Sequence, residues 1–235
     1  MPEPKLVDSA VEARMRQDWD ERARLNALYY IVTDAAESEA QFEASGEQSV
    51  RDILSDVERL LPANATVLEI GCGIGRMLRP FARRFASVYG VDVSTEMVNL
   101  AHQRLADLPN VKVWRTDGAS LQPIQSGSVD LAVSYLVFQH IPDVSVVEAN
   151  IRETFRVLRE GGLFKFQAAG HQDSEEAESA ERDRIKDTWT GVSFSDSGIR
   201  RIVEQSGFVV RETYSHQPPD SCTFLWVIAE KPRLP

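Results

Sequence analysis

The ten residues VLEIGCGIGR, starting at Val67, constrain this chain more than any other stretch. A short apolar run enters a turn with glycine at every second position: Gly71, Gly73 and Gly75. Glycine accepts tight, positive-φ geometry and lets a ligand come close to the main chain. Where such a turn opens a helix, the free N–H groups of the first helical turn favour a negative or polar ligand. These residues read as the ligand-binding corner of an α/β sheet.

A corner of this kind also serves the pyrophosphate of nicotinamide dinucleotides. Three features pull the reading elsewhere. The spacing is G-x-G-x-G and not G-x-G-x-x-G. Glu69 stands two residues before the first glycine, where a carboxylate can meet an ammonium group. Residues 1–66 precede the corner, whereas dinucleotide folds often begin with it. Asp92 ends the next β-rich run, about 20 residues on, where an acid accepts both hydroxyls of a ribose. It is read either so or as a strand-end cap. Ser94 is a plausible helix N-cap, and Met97 lies either beside the ligand or in the helix core. Asp117, with Gly118 and Ala119, either meets an adenine amine and ring or forms an ordinary Asp-Gly turn.

The β-rich runs are VLEIG (67–71), VYGVD (88–92), VKVWR (111–115), VDLAVSY (129–135) and GLFKFQA (162–168). Helices are expected from near Gly75, Ser94 and Val144. The last carries a stripe of Val147, Ile151, Phe155 and Leu158, and Gly161-Gly162 should end it. Alternating strands and helices predict a parallel sheet covered on both faces. A helix with Ile199, Ile202 and Val203 follows, ended by Gly207. FVVRETYS (208–215) and CTFLWVIAE (222–230) then read as an antiparallel pair joined through Pro218-Pro219. Before the corner, Asp8–Ile31 reads as a helix with Val11, Met15, Trp19, Leu25 and Leu28. Thr33–Ser49 is acidic, small and polar, with Gly46 inside it, and reads as a loop or mobile lid. Val50, Ile53, Leu54, Val57, Leu60 and Leu61 recur at helical spacing before Pro62.

Together these residues resemble the class I S-adenosylmethionine-dependent methyltransferases, small-molecule branch. The likeness is best from Val67 to Ala169, somewhat under half the chain, and extends to the terminal hairpin. It implies a Rossmann-like three-layer α/β sandwich with a seven-stranded, mostly parallel sheet, order 3-2-1-4-5-7-6, strand 7 antiparallel. It implies a domain over residues 50–235, a helical N-terminal lid over 1–49 and an insertion at 170–195 that caps the substrate. The donor would be S-adenosylmethionine and the product S-adenosylhomocysteine. The donor's contacts would come from Glu69, Gly71, Cys72, Gly73, Gly75, Asp92, Val93, Met97, Asp117, Gly118, Ala119 and Tyr135. The acceptor would be a small molecule with an O, N or C nucleophile. Alternatives are a protein or RNA methyltransferase and a nicotinamide-dependent oxidoreductase.

Ligands bind at the carboxyl ends of the strands in such sheets, so Ser134–Ile141 should face the reacting group. His140 there is either a general base or a loop-shaping residue. Phe138 and Gln139 are read as lining the donor pocket, with core packing the alternative for Phe138. Trp19, Tyr29, Tyr30, His171, Trp189 and Phe194 are the candidates for walling an acceptor. Arg22 either meets the methionine carboxylate or sits on a helix with no ligand contact. Arg76, first after the glycines, is expected at the surface or at a helix start, without a role.

The formal net charge is -10 and no Lys/Arg block occurs, which argues against nucleic acid or an anionic membrane as partner. The acidic run Asp173–Asp187 reads as a solvated face. No transmembrane run or signal-peptide core is visible, so the cytoplasm is the expected location. Cys72 and Cys222 are too far apart in sequence to suggest a zinc site or disulfide framework and read as small buried hydrophobes. No Asp/Asn-Pro-Pro-Tyr/Phe run, the mark of enzymes acting on exocyclic amines, follows the fourth strand. A monomer or homodimer is expected, with no metal.

Overall fold

The computed structural model describes residues 8–33, 37–171, 186–216 and 223–233. Its strands are β1 Thr66–Ile70, β2 Ser87–Asp92, β3 Val111–Arg115, β4 Val129–Ser134, β5 Leu158–Gly170, β6 Ser193–Phe194, β7 Val209–His216 and β8 Thr223–Glu230. Its α-helices are α1 Ser9–Ile31, α2 Glu39–Leu54, α3 Leu78–Ala82, α4 Thr95–Arg104, α5 Val144–Val157 and α6 Asp196–Gln205.

β1 and β4 are buried along their whole length. They are near-continuous apolar runs because helices cover both of their faces. The sheet order is β3-β2-β1-β4-β5-β8-β7, parallel from β3 to β5 and antiparallel at β5–β8 and β8–β7. With β7 and β8 as the sixth and seventh strands, this is the expected order. A two-residue strand, β6, additionally pairs with the far end of β5 and makes eight strands. The reversal of β8 puts the terminal hairpin at one edge and leaves the carboxyl ends of β1, β2, β3 and β4 together at the other side of the crossover.

Local chemistry sets the helix starts. Ser94 caps α4 by accepting from the Met97 N–H at 3.0 Å, and Asp143 caps α5 by accepting from the Ser145 N–H at 2.7 Å. α3 begins at Leu78, a turn later than the glycines suggested.

Two expectations need correction. Thr33–Ser49 is not a loop. Ser38 accepts from the Gln41 N–H at 3.2 Å and opens α2, whose Phe42, Gly46 and Val50 are buried. The S-x-x-Q spacing at Ser38 is a capping-box signal that outweighs the acidic composition. α2 runs unbroken across residue 49. The second correction is at Gly161-Gly162, which do not end α5. The chain turns extended at Leu158, and both glycines lie within β5.

α1 packs along α4 and carries a break at Asn26, φ −168° and ψ 90°. The Asn26 side chain accepts from the Tyr29 N–H and restarts the helix. Ala23, Ala27, Phe42, Ile74 and Met97 form a small apolar cluster that joins α1 and α2 to the glycine corner.

Candidate active site

A cleft opens at the carboxyl ends of the central strands. Its floor is the glycine corner. Gly71, Gly73 and Gly75 have φ of 74°, 52° and 86°, which bulkier residues reach only with strain. The Gly71 and Cys72 N–H groups bond to the Val91 carbonyl at 2.8 and 3.0 Å, which ties the corner to β2.

Two buried carboxylates flank this floor. Asp92 accepts from the Gly73 N–H at 2.8 Å through Oδ2 and from the Ser94 N–H at 2.9 Å through Oδ1. Burial pushes its pKa up to about 6, although these N–H bonds favour the charged form. Glu69 is more extreme. Its Oε2 is buried without a hydrogen-bond partner, and burial pushes its pKa up to about 8 despite the opposing Arg76 charge.

Arg76 is the residue that sequence reasoning missed. It is 6% exposed and lines the cleft. Nη1 donates to Ser45 and Ser49 of α2 at 3.3 and 2.9 Å, its plane lies 5.8 Å from the Tyr135 ring centre, and its Nε is buried without a partner. A buried carboxylate and a buried guanidinium therefore share one end of the cleft, each with one unsatisfied polar atom. Such groups are costly unless a ligand satisfies them.

The other wall comes from the turn after β4 and from α1. Leu136 adopts φ 59° there, the one non-glycine with positive φ among the described residues. Val137 packs on Gly71: a Cβ at that glycine would lie 2.4 Å from Val137 Cγ2. His140 lines the cleft, lies tilted against Trp189 with ring centres 5.1 Å apart and meets Trp19 edge-on at 5.3 Å. Its Nδ1 lies 2.6 Å from the Trp189 carbonyl. A carbonyl can only accept, so Nδ1 carries the hydrogen and Nε2 keeps a lone pair in the neutral ring. Burial lowers the His140 pKa to about 4, against the pull of that bond and with help from the Arg22 charge.

Of the residues expected here, Glu69, Gly71, Cys72, Gly73, Asp92, Val93, Met97, Gly118, Tyr135, Trp19, Tyr30 and His140 line the cleft. The others do not. Gly75 packs against Leu105 behind the corner. Asp117 is exposed and accepts from the Ala119 and Ser120 N–H groups, the turn alternative, while Ala119 is core. Phe138 is fully buried, with its ring 5.1 Å from that of Phe166. Phe194 is core as well. His171 closes β5 by bonding the Phe194 carbonyl through its N–H. Tyr29 and Trp189 are outward, 42% and 41% exposed, each edge-on to Tyr30. Arg22 does not line the cleft. It donates to the Thr188 carbonyl and hydroxyl at 3.2 and 2.9 Å and lies over Trp19 and Trp189. Cys72 is buried as expected, whereas Cys222 and most of Asp173–Asp187 fall outside the described residues.

Arg22 and Thr188 tie α1 to the segment 187–192, and Gly191 ties that segment to the turn after β4. At Gly191, φ is 39° and a Cβ would lie 2.2 Å from the Gln139 carbonyl oxygen. Gly191→Val is expected to cost about 2 kcal/mol or more in a urea titration, through strain and overpacking. An unchanged midpoint would show that this segment is not seated on the turn.

Residues 68–166 match the family described as a methyltransferase domain. An uncharacterized methyltransferase of Geobacillus sp. (strain WCH70) is 25% identical over 212 residues, 84% of this chain and 94% of that protein. A ubiquinone biosynthesis O-methyltransferase of Xanthomonas axonopodis pv. citri is 33% identical over 54% of this chain and 55% of that protein. Several further curated relatives are likewise matched over about half their length. The solved structure of an S-adenosylmethionine-dependent methyltransferase from Methanosarcina mazei superposes with a TM-score of 0.62 at 17% identity, covering 75% of this chain and 96% of that one.

Proposed function

We propose that the chain is a class I S-adenosylmethionine-dependent methyltransferase, which transfers a methyl group from that donor to a small-molecule acceptor. One observation carries the reading: the glycine corner lies between buried Glu69, with an unsatisfied oxygen, and Asp92, which braces Gly73. Among known groups, the donor's α-ammonium suits the first acid and its ribose hydroxyls suit the second. When bound, S-adenosylmethionine supplies an electrophilic methyl group on a sulfonium.

The chain's own residues have four tasks. Glu69 holds the ammonium group. Asp92 accepts the ribose hydroxyls while keeping the corner in shape. Val93, Met97 and Gly118 offer the rim for the adenine, with Gly118 steadied by Asn150, which donates to its carbonyl at 2.6 Å. The turn after β4, together with Trp19 and Tyr30, keeps water from the methyl group and aligns the nucleophile. Proximity and exclusion of water supply most of what an in-line displacement needs. A relative named for ubiquinone biosynthesis supports a small-molecule acceptor. The net charge of -10 gives no support to an RNA acceptor.

Calorimetric titration with S-adenosylhomocysteine, with NADH in parallel, tests the reading. Micromolar binding of the first alone is expected. Binding of NADH alone, or of neither, would overturn it.

A further inference from the structure

The charges that line the cleft are unevenly placed. Glu69, Arg76 and Asp92 all belong to β1, its glycine corner and β2. The opposite wall consists of Leu136, Val137 and Ile141 from the turn after β4, with Trp19 and Tyr30 of α1, and its one ionisable group besides tyrosine is His140. Among the described residues, no counter-ion for a charged acceptor lines that wall. Arg22 lies outside the lining and is spent on Thr188. Asp18 accepts from the Thr188 hydroxyl, and Asp187 accepts from the Trp189 and Thr190 N–H groups. A carboxylate or ammonium bound at this wall would be desolvated without a partner, which is costly. A flat, apolar molecule is favoured by a wall of edge-on and tilted rings.

His140 adds one polar instruction. Nδ1–H is held by the Trp189 carbonyl, so Nε2 is an acceptor, and it has no protein partner among the described residues. We propose that the acceptor is an uncharged aromatic molecule bearing a hydroxyl group, its ring against Trp19 and Tyr30 and its O–H donating to His140 Nε2. This rests on the reading of the cleft as a methyl-donor site. The hydroxyl oxygen forms a bond to the methyl carbon, and the carbon–sulfur bond breaks with its electron pair going to sulfur, leaving a neutral thioether. The oxygen becomes strongly acidic as it is alkylated, so its proton passes to Nε2 even though burial makes this imidazole a weak base, and then to water.

The test is a label-transfer assay with methyl-labelled S-adenosylmethionine and four probes: catechol, 2-naphthol, benzoate and benzylamine. Catechol and 2-naphthol are expected to accept label at least tenfold faster than benzoate or benzylamine. His140→Ala is expected to slow transfer to 2-naphthol about 100-fold, with S-adenosylhomocysteine affinity within about twofold of the wild type. Equal or faster labelling of benzoate or benzylamine would overturn the proposal. So would the absence of transfer to either hydroxyl probe while S-adenosylhomocysteine still binds, an outcome that leaves the donor site standing. Loss of that binding in the wild-type protein would instead remove the reading on which the proposal rests.

Discussion

Asp92→Ala will weaken binding of S-adenosylhomocysteine roughly 10- to 150-fold, the equivalent of about 1.5–3 kcal/mol for charge-assisted hydrogen bonds. The upper end is expected, because this carboxylate has two duties. It would accept the ribose hydroxyls, and it already accepts from the Gly73 and Ser94 N–H groups. Alanine removes the ligand contact and also releases the glycine corner and the first turn of α4. Asn is no rescue: its amide offers one acceptor oxygen, and its NH2 group would face an N–H donor. Asp92→Asn is therefore expected to bind nearly as poorly as Asp92→Ala. Unchanged affinity in a calorimetric titration would remove Asp92 from the site.

Glu69 gives the second large effect, as a dependence of stability on pH. Its carboxyl is held at about 8 in the folded chain against an ordinary 4.5. Between those values the folded state keeps a proton that the unfolded state has lost. Stability therefore declines as pH rises through this window and levels off above about 8. The slope for one such group approaches 1.4 kcal/mol per pH unit, so the whole window is worth roughly 5 kcal/mol. Asp92 acts in the same direction at lower pH, from 3.8 to about 6. Urea unfolding of the free protein from pH 6 to pH 8 should show the decline, and Glu69→Gln should flatten it. Parallel curves for the two proteins would mean that Glu69 is ionised in the folded chain at neutral pH. A ligand ammonium beside Glu69 reverses the preference. Binding of S-adenosylhomocysteine at pH 7 should then release close to one proton, measurable in buffers of different ionisation enthalpy, and Glu69→Gln should release none.

The parts of this molecule that could be read from the chain are those whose partners lie close in sequence. The glycine corner, the Ser94 cap and the alternation from β1 to β5 depend on neighbours within a strand or a helical turn. Arg76 was unreadable because its burial depends on Ser45 and Ser49, which reach it only once α2 has formed. α2 was in turn hidden by its acidic and small residues, although Phe42, Gly46 and Val50 keep a four-residue spacing on its buried face. Asp117 shows a different limit. An acid after a strand suits both an adenine and a turn, and only the folded chain shows that this one accepts from the Ala119 and Ser120 N–H groups. At Leu158 a hydrophobic stripe ran past the helix end, because the residue after Val157 is buried in the strand as it would have been in the helix. The aromatic wall was legible as a set of residue types. Which of its members face inward was not: neighbouring Tyr30 lines the cleft while Tyr29 is exposed.

Asp20 of α1 accepts from the Ser94 hydroxyl at 2.7 Å and from the Glu96 N–H at 3.1 Å, and its charge helps to keep Asp92 from ionising. This makes the seating of α1 and the proton on Asp92 two ends of a single equilibrium, and such coupling is reciprocal. Lifting α1 makes Asp92 more acidic, and any condition that ionises Asp92 loosens α1 by the same free energy. The first described helix thus behaves as a gauge of the charge on the floor of the cleft, read through Asp20.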